Sequence, residues 1–195
     1  MSEPLRLGVL VSGRGSNLAA ILSEIAAGRL NARVALVVSD KPQARALEIA
    51  AQHGLAAKVI ERKTFADKDS FERQISADLK AAGVELVVLA GFMRLLGKNF
   101  ISDFSGRIIN VHPALLPAFP GLDAQKQALD YGVKISGCTV HFVNEVMDGG
   151  RVIAQAAVEV RPDDTEETLS ARILEQEHRL LPMVIGRLAD RRNRG

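Results

Sequence analysis

Asn110 and His112 stand two residues apart in the segment Ile108-Ile109-Asn110-Val111-His112-Pro113-Ala114-Leu115-Leu116-Pro117. On an extended chain, residues at i and i+2 project to the same side. An amide donor and an imidazole therefore aim at one point, while Val111 packs the other way. Pro113 biases His112 toward an extended backbone and rules out helix directly after it. Asp148 follows in Met147-Asp148-Gly149-Gly150, where two glycines let the chain turn sharply. Amide, imidazole and carboxylate together suit a reaction in which negative charge grows on an oxygen while a proton moves.

Plainer readings stand beside this one. A lone histidine at a strand end is more often structural, and an aspartate before two glycines can be a turn former. His141 shares a side of its strand with Thr139 and Val143, so it is either a buried support or packing, and ranks as secondary. His53 and His178 read as helix-end and surface residues.

A second motif concerns binding. Ser12-Gly13-Arg14-Gly15-Ser16-Asn17 interrupts an apolar strand, and Leu18 to Leu22 begins a helical pattern. Gly13 and Gly15 permit backbone conformations closed to other residues and let amides approach a ligand. Ser16 and Asn17 fall at the helix start, where free N–H groups and the helix dipole favour an anion, most naturally a phosphate. A dinucleotide fingerprint would want glycine where Leu18 stands, and the lysine of an ATP-binding loop is missing. Asp40 beyond the second strand is weak support for a ribose site, and a merely structural turn stays open.

The elements that must position these groups follow from the apolar pattern. Strands are expected at Leu5 to Val11, Arg33 to Ser39, Leu55 to Ile60, Val84 to Ala90 and Arg107 to Val111. Helices are expected from about Gln43 to Gln52 and Lys68 to Ala82, the latter with Phe71, Ile75 and Leu79 spaced by four. This alternation predicts a doubly wound, mostly parallel Rossmann-like α/β sheet. Cys138 to Val143 and Arg151 to Val160 then form an antiparallel pair, because the turn carrying Asp148 is too short for a crossover. A final long helix starts near Asp164, with an Asp164–Glu167 capping box. Its buried stripe is Leu169, Ile173, Leu180, Val184 and Leu188, and Pro182 is expected to end or kink it. The 195 residues are read as a single domain, about 1–111 forming the phosphate-binding half and 112–195 the catalytic loop, antiparallel strands and last helix. Ligands in such sheets sit outside the carboxyl ends of the strands. The glycine loop and the Asn110–His112 segment both lie at such ends.

Bulk properties exclude several classes. A hydrophobic fraction of 47% supports a buried core, and a net charge of +2 from 25 basic and 23 acidic residues makes no broad case for nucleic acid. The basic run from Arg187 to Arg194 reads as a solvated tail. Cys138 is alone, so no disulfide or cysteine-cluster metal site is expected, and no metal is called for. No signal-peptide pattern or apolar run of membrane-spanning length occurs, so a soluble, cytoplasmic protein is expected.

Taken together, the motifs resemble the phosphoribosylglycinamide formyltransferases of the folate-dependent formyltransferase family. The matching pieces are the 12–18 glycine loop, Leu89-Ala90-Gly91-Phe92-Met93-Arg94-Leu95-Leu96, the 110–117 loop, Gly137 to Val143 and Asp148-Gly149-Gly150. They span nearly the whole chain in the family's order, and the glycine loop singles out this branch. The resemblance implies formyl transfer from 10-formyltetrahydrofolate, a co-substrate, to the amine of glycinamide ribonucleotide in purine synthesis. It implies Asn110, His112 and Asp148 as the catalytic triad, and Gly15, Ser16, Asn17 and Glu177 on the ribonucleotide. Leu89, Met93, Arg94, Leu95 and Leu96 would line the folate cleft, joined by Asn110, by Val143, Asn144 and Glu145 at the pterin, and by Lys68 at the folate tail. Partners would be these small molecules only, with the protein a monomer or homodimer.

Two positions depart from the family pattern: Ala114 stands where many relatives carry serine, and Asp123-Ala124-Gln125 replaces a histidine-containing version. Formyltetrahydrofolate deformylase shares the loop and triad but usually carries an extra regulatory domain and lacks this glycine loop. Methionyl-tRNA formyltransferase needs an RNA-binding extension and a basic surface. A non-enzymatic nucleotide-binding domain would leave the triad without a purpose, and no metal-hydrolase ligand spacing occurs.

Overall fold

The computed structural model describes residues 3–192. Seven strands form one sheet in the order β3-β2-β1-β4-β5-β6-β7. Five run parallel: β1 (Leu5–Val11), β2 (Ala32–Ser39), β3 (Ala57–Val59), β4 (Leu86–Leu89) and β5 (Ile108–His112). β6 (Ile135–Phe142) and β7 (Val152–Glu159) complete it antiparallel to their neighbours. The expected α/β architecture is the observed one.

Helices cover both faces, as a sheet whose strands alternate apolar side chains to both sides requires. α1 (Ser16–Ala26), α2 (Arg45–Gln52) and α6 (Glu166–Arg192) pack on a core with Leu7, Val9, Ile109, Val111 and Val140. On the opposite face α3 (Lys68–Ala81) and α4 (Lys98–Asp103) enclose Leu10, Val87, Leu89 and Ile108. Ile109 and Val111 thus belong to one layer and Ile108 to the other. By alternation Asn110 and His112 lie on the Ile108 side, as do Thr139 and His141, which pair with them across β6.

The structure corrects several sequence expectations. α4 and α5 (Ala124–Tyr131) carry too few apolar positions to show a helical period. The reciprocal cap of α6 joins Thr165 and Thr168, one residue beyond Asp164 and Glu167, and Asp164 instead accepts from Arg172 and Thr168. Pro182 does not end α6, which continues to Arg192. Within the basic run, Arg192 Nε lies 3.0 Å from Glu85, tying the helix to β4's approach, while Arg187 and Arg191 are exposed. Asn193 and Arg194 lie outside the described residues. His178 is half-buried rather than a surface residue, and burial lowers its pKa.

Candidate active site

β5 and the connection 143–151 bring Asn110, His112 and Asp148 together. His112, only 4% exposed, has Nδ1 3.4 Å from Asp148 Oδ2. His141, 2% exposed, sits between the other two groups, its Nε2 3.3 Å from Asn110 Nδ2 and 3.6 Å from Asp148 Oδ1. Its Nδ1 faces the Phe142 carbonyl at 2.9 Å; a carbonyl only accepts, so Nδ1 carries the hydrogen. His141 is therefore the bridge of the constellation, a larger part than sequence assigned it. The two-residue alternation with Thr139 was its only signal.

Asp148 also accepts from the Gly121 N–H at 2.8 Å. Burial opposes its charge, but the imidazole of His141, the Gly121 N–H and the nearby His112 outweigh that, and the carboxyl sits below its ordinary value. The carboxylate stays ionised at neutral pH, which suits it to orient and balance an imidazole rather than to store a proton. The sharp turn has a different origin from the one expected. Asp148 itself takes the left-handed conformation (φ 51°), whereas Gly150 is required by close approach, because a Cβ there would lie 1.7 Å from the Phe142 carbonyl oxygen.

Both candidate donors are engaged inside the protein. The His112 Nε2–H donates to the Phe119 carbonyl at 2.7 Å, and Asn110 spends its amide on His141. An oxygen of the 113–121 loop thus takes up the hydrogen of His112 Nε2. Phe119 holds it there from a left-handed backbone (φ 54°), and no periodic pattern in that loop foretold the contact. Upstream, buried Thr139 donates to Ala114 O at 2.7 Å and accepts from Leu116 N at 3.0 Å, which fixes the exit from β5. Ala114 is fully buried and leaves this anchor intact.

The glycine loop joins the same edge of the sheet. Ser12 N donates to Gly91 O at 3.1 Å and its hydroxyl accepts from Met93 N at 2.9 Å, which ties the 12–17 loop to the 91–97 loop. Gly15 caps α1 at φ 73°, and a Cβ there would lie 2.7 Å from Ala46, so helix packing as well as conformation demands glycine. Gly13 has open space around it. Ser16 opens α1 as expected. The Asn17 side chain turns inward, its Nδ2 donating to Glu177 at 2.8 Å while Oδ1 is left without a partner. The Asn17 main-chain N–H stays in the first turn of α1. Glu177 occupies the apolar stripe of α6, and burial pushes its carboxyl up despite Asn17 and Arg14.

On the 91–97 loop, Met93 and Leu95 are 70% and 61% exposed, so this run does not simply continue the core past β4. Leu89 and Leu96 do pack inward. Arg94 pairs with buried Asp40 at 2.5 Å and lies over the Phe71 ring, which takes Asp40 away from any ribose. Val143 donates to Ile108 O at 2.9 Å, Asn144 folds its own turn by accepting from Val146 N, and Glu145 is exposed. Lys68 stands apart on α3, 3.7 Å from Glu72. Among the described residues, no group of three or more His, Cys, Asp or Glu is arranged to hold a metal ion, and no helix is long and apolar enough to cross a membrane.

Comparison with known proteins supplies the remaining facts. A family model described as formyl transferase matches residues 5–185. Phosphoribosylglycinamide formyltransferase of Bacillus subtilis (strain 168) is 45% identical over 190 residues, 97% of this chain and 97% of that protein. The trifunctional purine biosynthetic protein adenosine-3 of Drosophila melanogaster is 46% identical over 187 residues, 95% of this chain but 14% of that much longer protein. The crystal structure of glycinamide ribonucleotide transformylase 1 from Symbiobacterium toebii superposes with a TM-score of 0.95 at 47% identity, covering 97% of this chain and 90% of the other.

Proposed function

The chain belongs to the formyl transferase family, and from that membership we propose that it moves a formyl group from 10-formyltetrahydrofolate to the amine of N1-(5-phosphoribosyl)glycinamide, a step of purine synthesis. The observation that carries this reading is the convergence of Asn110, His112 and Asp148 from two separate segments, beside a helix start fit for a phosphate. The amine nitrogen attacks the formyl carbon, and the carbonyl electrons move to oxygen. Asn110 Nδ2–H and His112 Nε2–H exchange their internal partners for that oxyanion, donors typically worth roughly 2.7–4 kcal/mol each. Collapse re-forms the carbonyl and breaks the bond to the folate nitrogen, which takes up the proton shed by the amine. Asp148 holds the ring and its charge through that relay.

The exposed Met93 and Leu95 offer an apolar wall to the flat folate, with Leu89 and Leu96 behind them and the 143–145 main chain at the pterin. Lys68 receives the anionic tail. The ribonucleotide phosphate takes the main-chain N–H groups at Gly15, Ser16 and Asn17, and Glu177 meets the substrate next to Asn17. The substrates are small and the place of action is the cytoplasm. Incubating the protein with 10-formyltetrahydrofolate, with and without the ribonucleotide, tests the whole reading. Consumption of the donor that ignores the amine would mean a deformylase instead.

Asn17→Ala is expected to raise the ribonucleotide KM about ten-fold or more with a smaller change in kcat, whereas Ser16→Ala, which keeps its main-chain N–H, is expected to change it little. Asn17→Ala carries the larger effect, because it leaves buried Glu177 without its donor. Unchanged ribonucleotide affinity in Asn17→Ala would separate the Asn17–Glu177 pair from the substrate site.

A further inference from the structure

Glu72 is a carboxylate only 3% exposed on α3, and neither the motifs nor the proposed chemistry uses it. Its two oxygens lie 2.9 and 3.0 Å from one donor, the main-chain N–H of Gly97. Gly97 is the N-cap of α4, has no side chain to satisfy that end, and closes the loop bearing Met93, Arg94, Leu95 and Leu96. A Cβ at Gly97 would sit 2.5 Å from Glu72 Oε2, so glycine is what lets the carboxylate come so close. The other end of the loop is held by Ser12, and its middle by Arg94 on Asp40 and the Phe71 ring, the residue next to Glu72. Lys68, one turn away, is the only cation near the carboxylate among the contacts of the described residues. Burying a carboxylate is costly unless it is hydrogen-bonded and paired, and burial does push this carboxyl above its usual range against the pull of Gly97 and Lys68. The loop in return presents two large apolar side chains to solvent, which nothing in the core explains.

We propose that Glu72 is a positioning residue for the formyl donor: by clamping Gly97 it fixes the 91–97 loop as a preformed wall against which the folate binds. The inference rests on the formyl-transfer reading and deepens it. A loop ordered before binding spares the ligand the entropy of ordering it, so loosening the clamp weakens donor binding and leaves the chemistry at His112 alone.

The test uses the full chain and three variants: Glu72→Gln, Gly97→Ala, and the two combined. Glu72→Gln keeps the shape but loses the charge and one acceptor, whereas Gly97→Ala keeps the charge and drives the carboxylate off the amide. Each single variant is expected to raise the KM for 10-formyltetrahydrofolate roughly ten-fold, with kcat and the ribonucleotide KM within about two-fold. The double variant is expected to be no worse than the poorer single one, since both break one contact. Additive effects, or equal changes in both KM values, would overturn the clamp. Amide hydrogen exchange at position 97 gives an answer independent of catalysis, with protection in the parent and its loss in Gly97→Ala, where the Cβ drives the carboxylate off the amide. Equal exchange in both would refute the contact. Absence of turnover in the parent protein would strike the functional reading and the donor's identity, and leave exchange to judge the clamp.

Discussion

Asp148→Asn is expected to lower kcat by about 10²–10⁴ while the protein stays folded, with His112→Ala falling in the same range. The asparagine keeps the shape of the carboxylate and can still accept from Gly121 N–H, so the connection 143–151 has no reason to move. What disappears is the charge facing His112 Nδ1 at 3.4 Å and His141 Nε2 at 3.6 Å. An imidazole deprived of that partner loses both its orientation and the stabilisation of its protonated form as the oxyanion develops. His112→Ala removes the oxyanion donor itself and frees the Phe119 carbonyl it holds. Steady-state kinetics with both substrates, alongside thermal unfolding, checks the pair. Turnover within a few-fold of the parent in either variant would remove the relay.

The pH behaviour follows from the same geometry. A carboxyl whose folded pKa is depressed stabilises the fold fully above its unfolded value, about 3.9. That contribution fades as pH falls through the lower folded value. Assays near neutrality therefore compare an ionised Asp148 with an uncharged asparagine, and the loss of rate reports on charge rather than on a proton stored there.

Much of this arrangement was legible in the residues themselves. The strands alternate or run apolar for physical reasons that a sequence displays, and β1 matches its expected bounds at both ends. Asn110 and His112 were placed in phase by the two-residue repeat, and Ile109 and Val111 do join the opposite layer. What stayed hidden depends on contacts distant in sequence. The inward turn of Asn17 needs a carboxylate 160 residues away, and the Phe119 carbonyl reaches His112 from a loop with no period. His141 was visible as a strand residue, but its value as a bridge arises only when β6 pairs with β5. Glu72 was invisible, because a polar residue on a helix reads as solvent-facing until another loop closes over it.

Two glycines make the sharpest steric prediction, since the same substitution should act in opposite directions at them. At Gly150 a Cβ would stand 1.7 Å from the Phe142 carbonyl oxygen and 2.8 Å from its carbon, both backbone atoms of β6. Phe142 N is bonded to Arg151 O at 3.0 Å, so neither strand can retreat without breaking the ladder. Gly150→Ala is expected to cost about 3 kcal/mol or more, which at this chain length lowers the unfolding midpoint by roughly 6–12 °C. Because Asp148 lies two residues away, relief of the clash shifts its carboxylate from both imidazoles, and kcat should drop about 100-fold or more even where the variant is folded. At Gly186, inside α6, a Cβ would meet only Leu30 at an ordinary 3.6 Å. There alanine adds helix propensity, and stability should rise by roughly 0.5–1 kcal/mol. Calorimetry of the two variants with parallel rate measurements decides the matter. A Gly150→Ala protein that melts and turns over like its parent would show that the β6–β7 connection does not hold Asp148 in place.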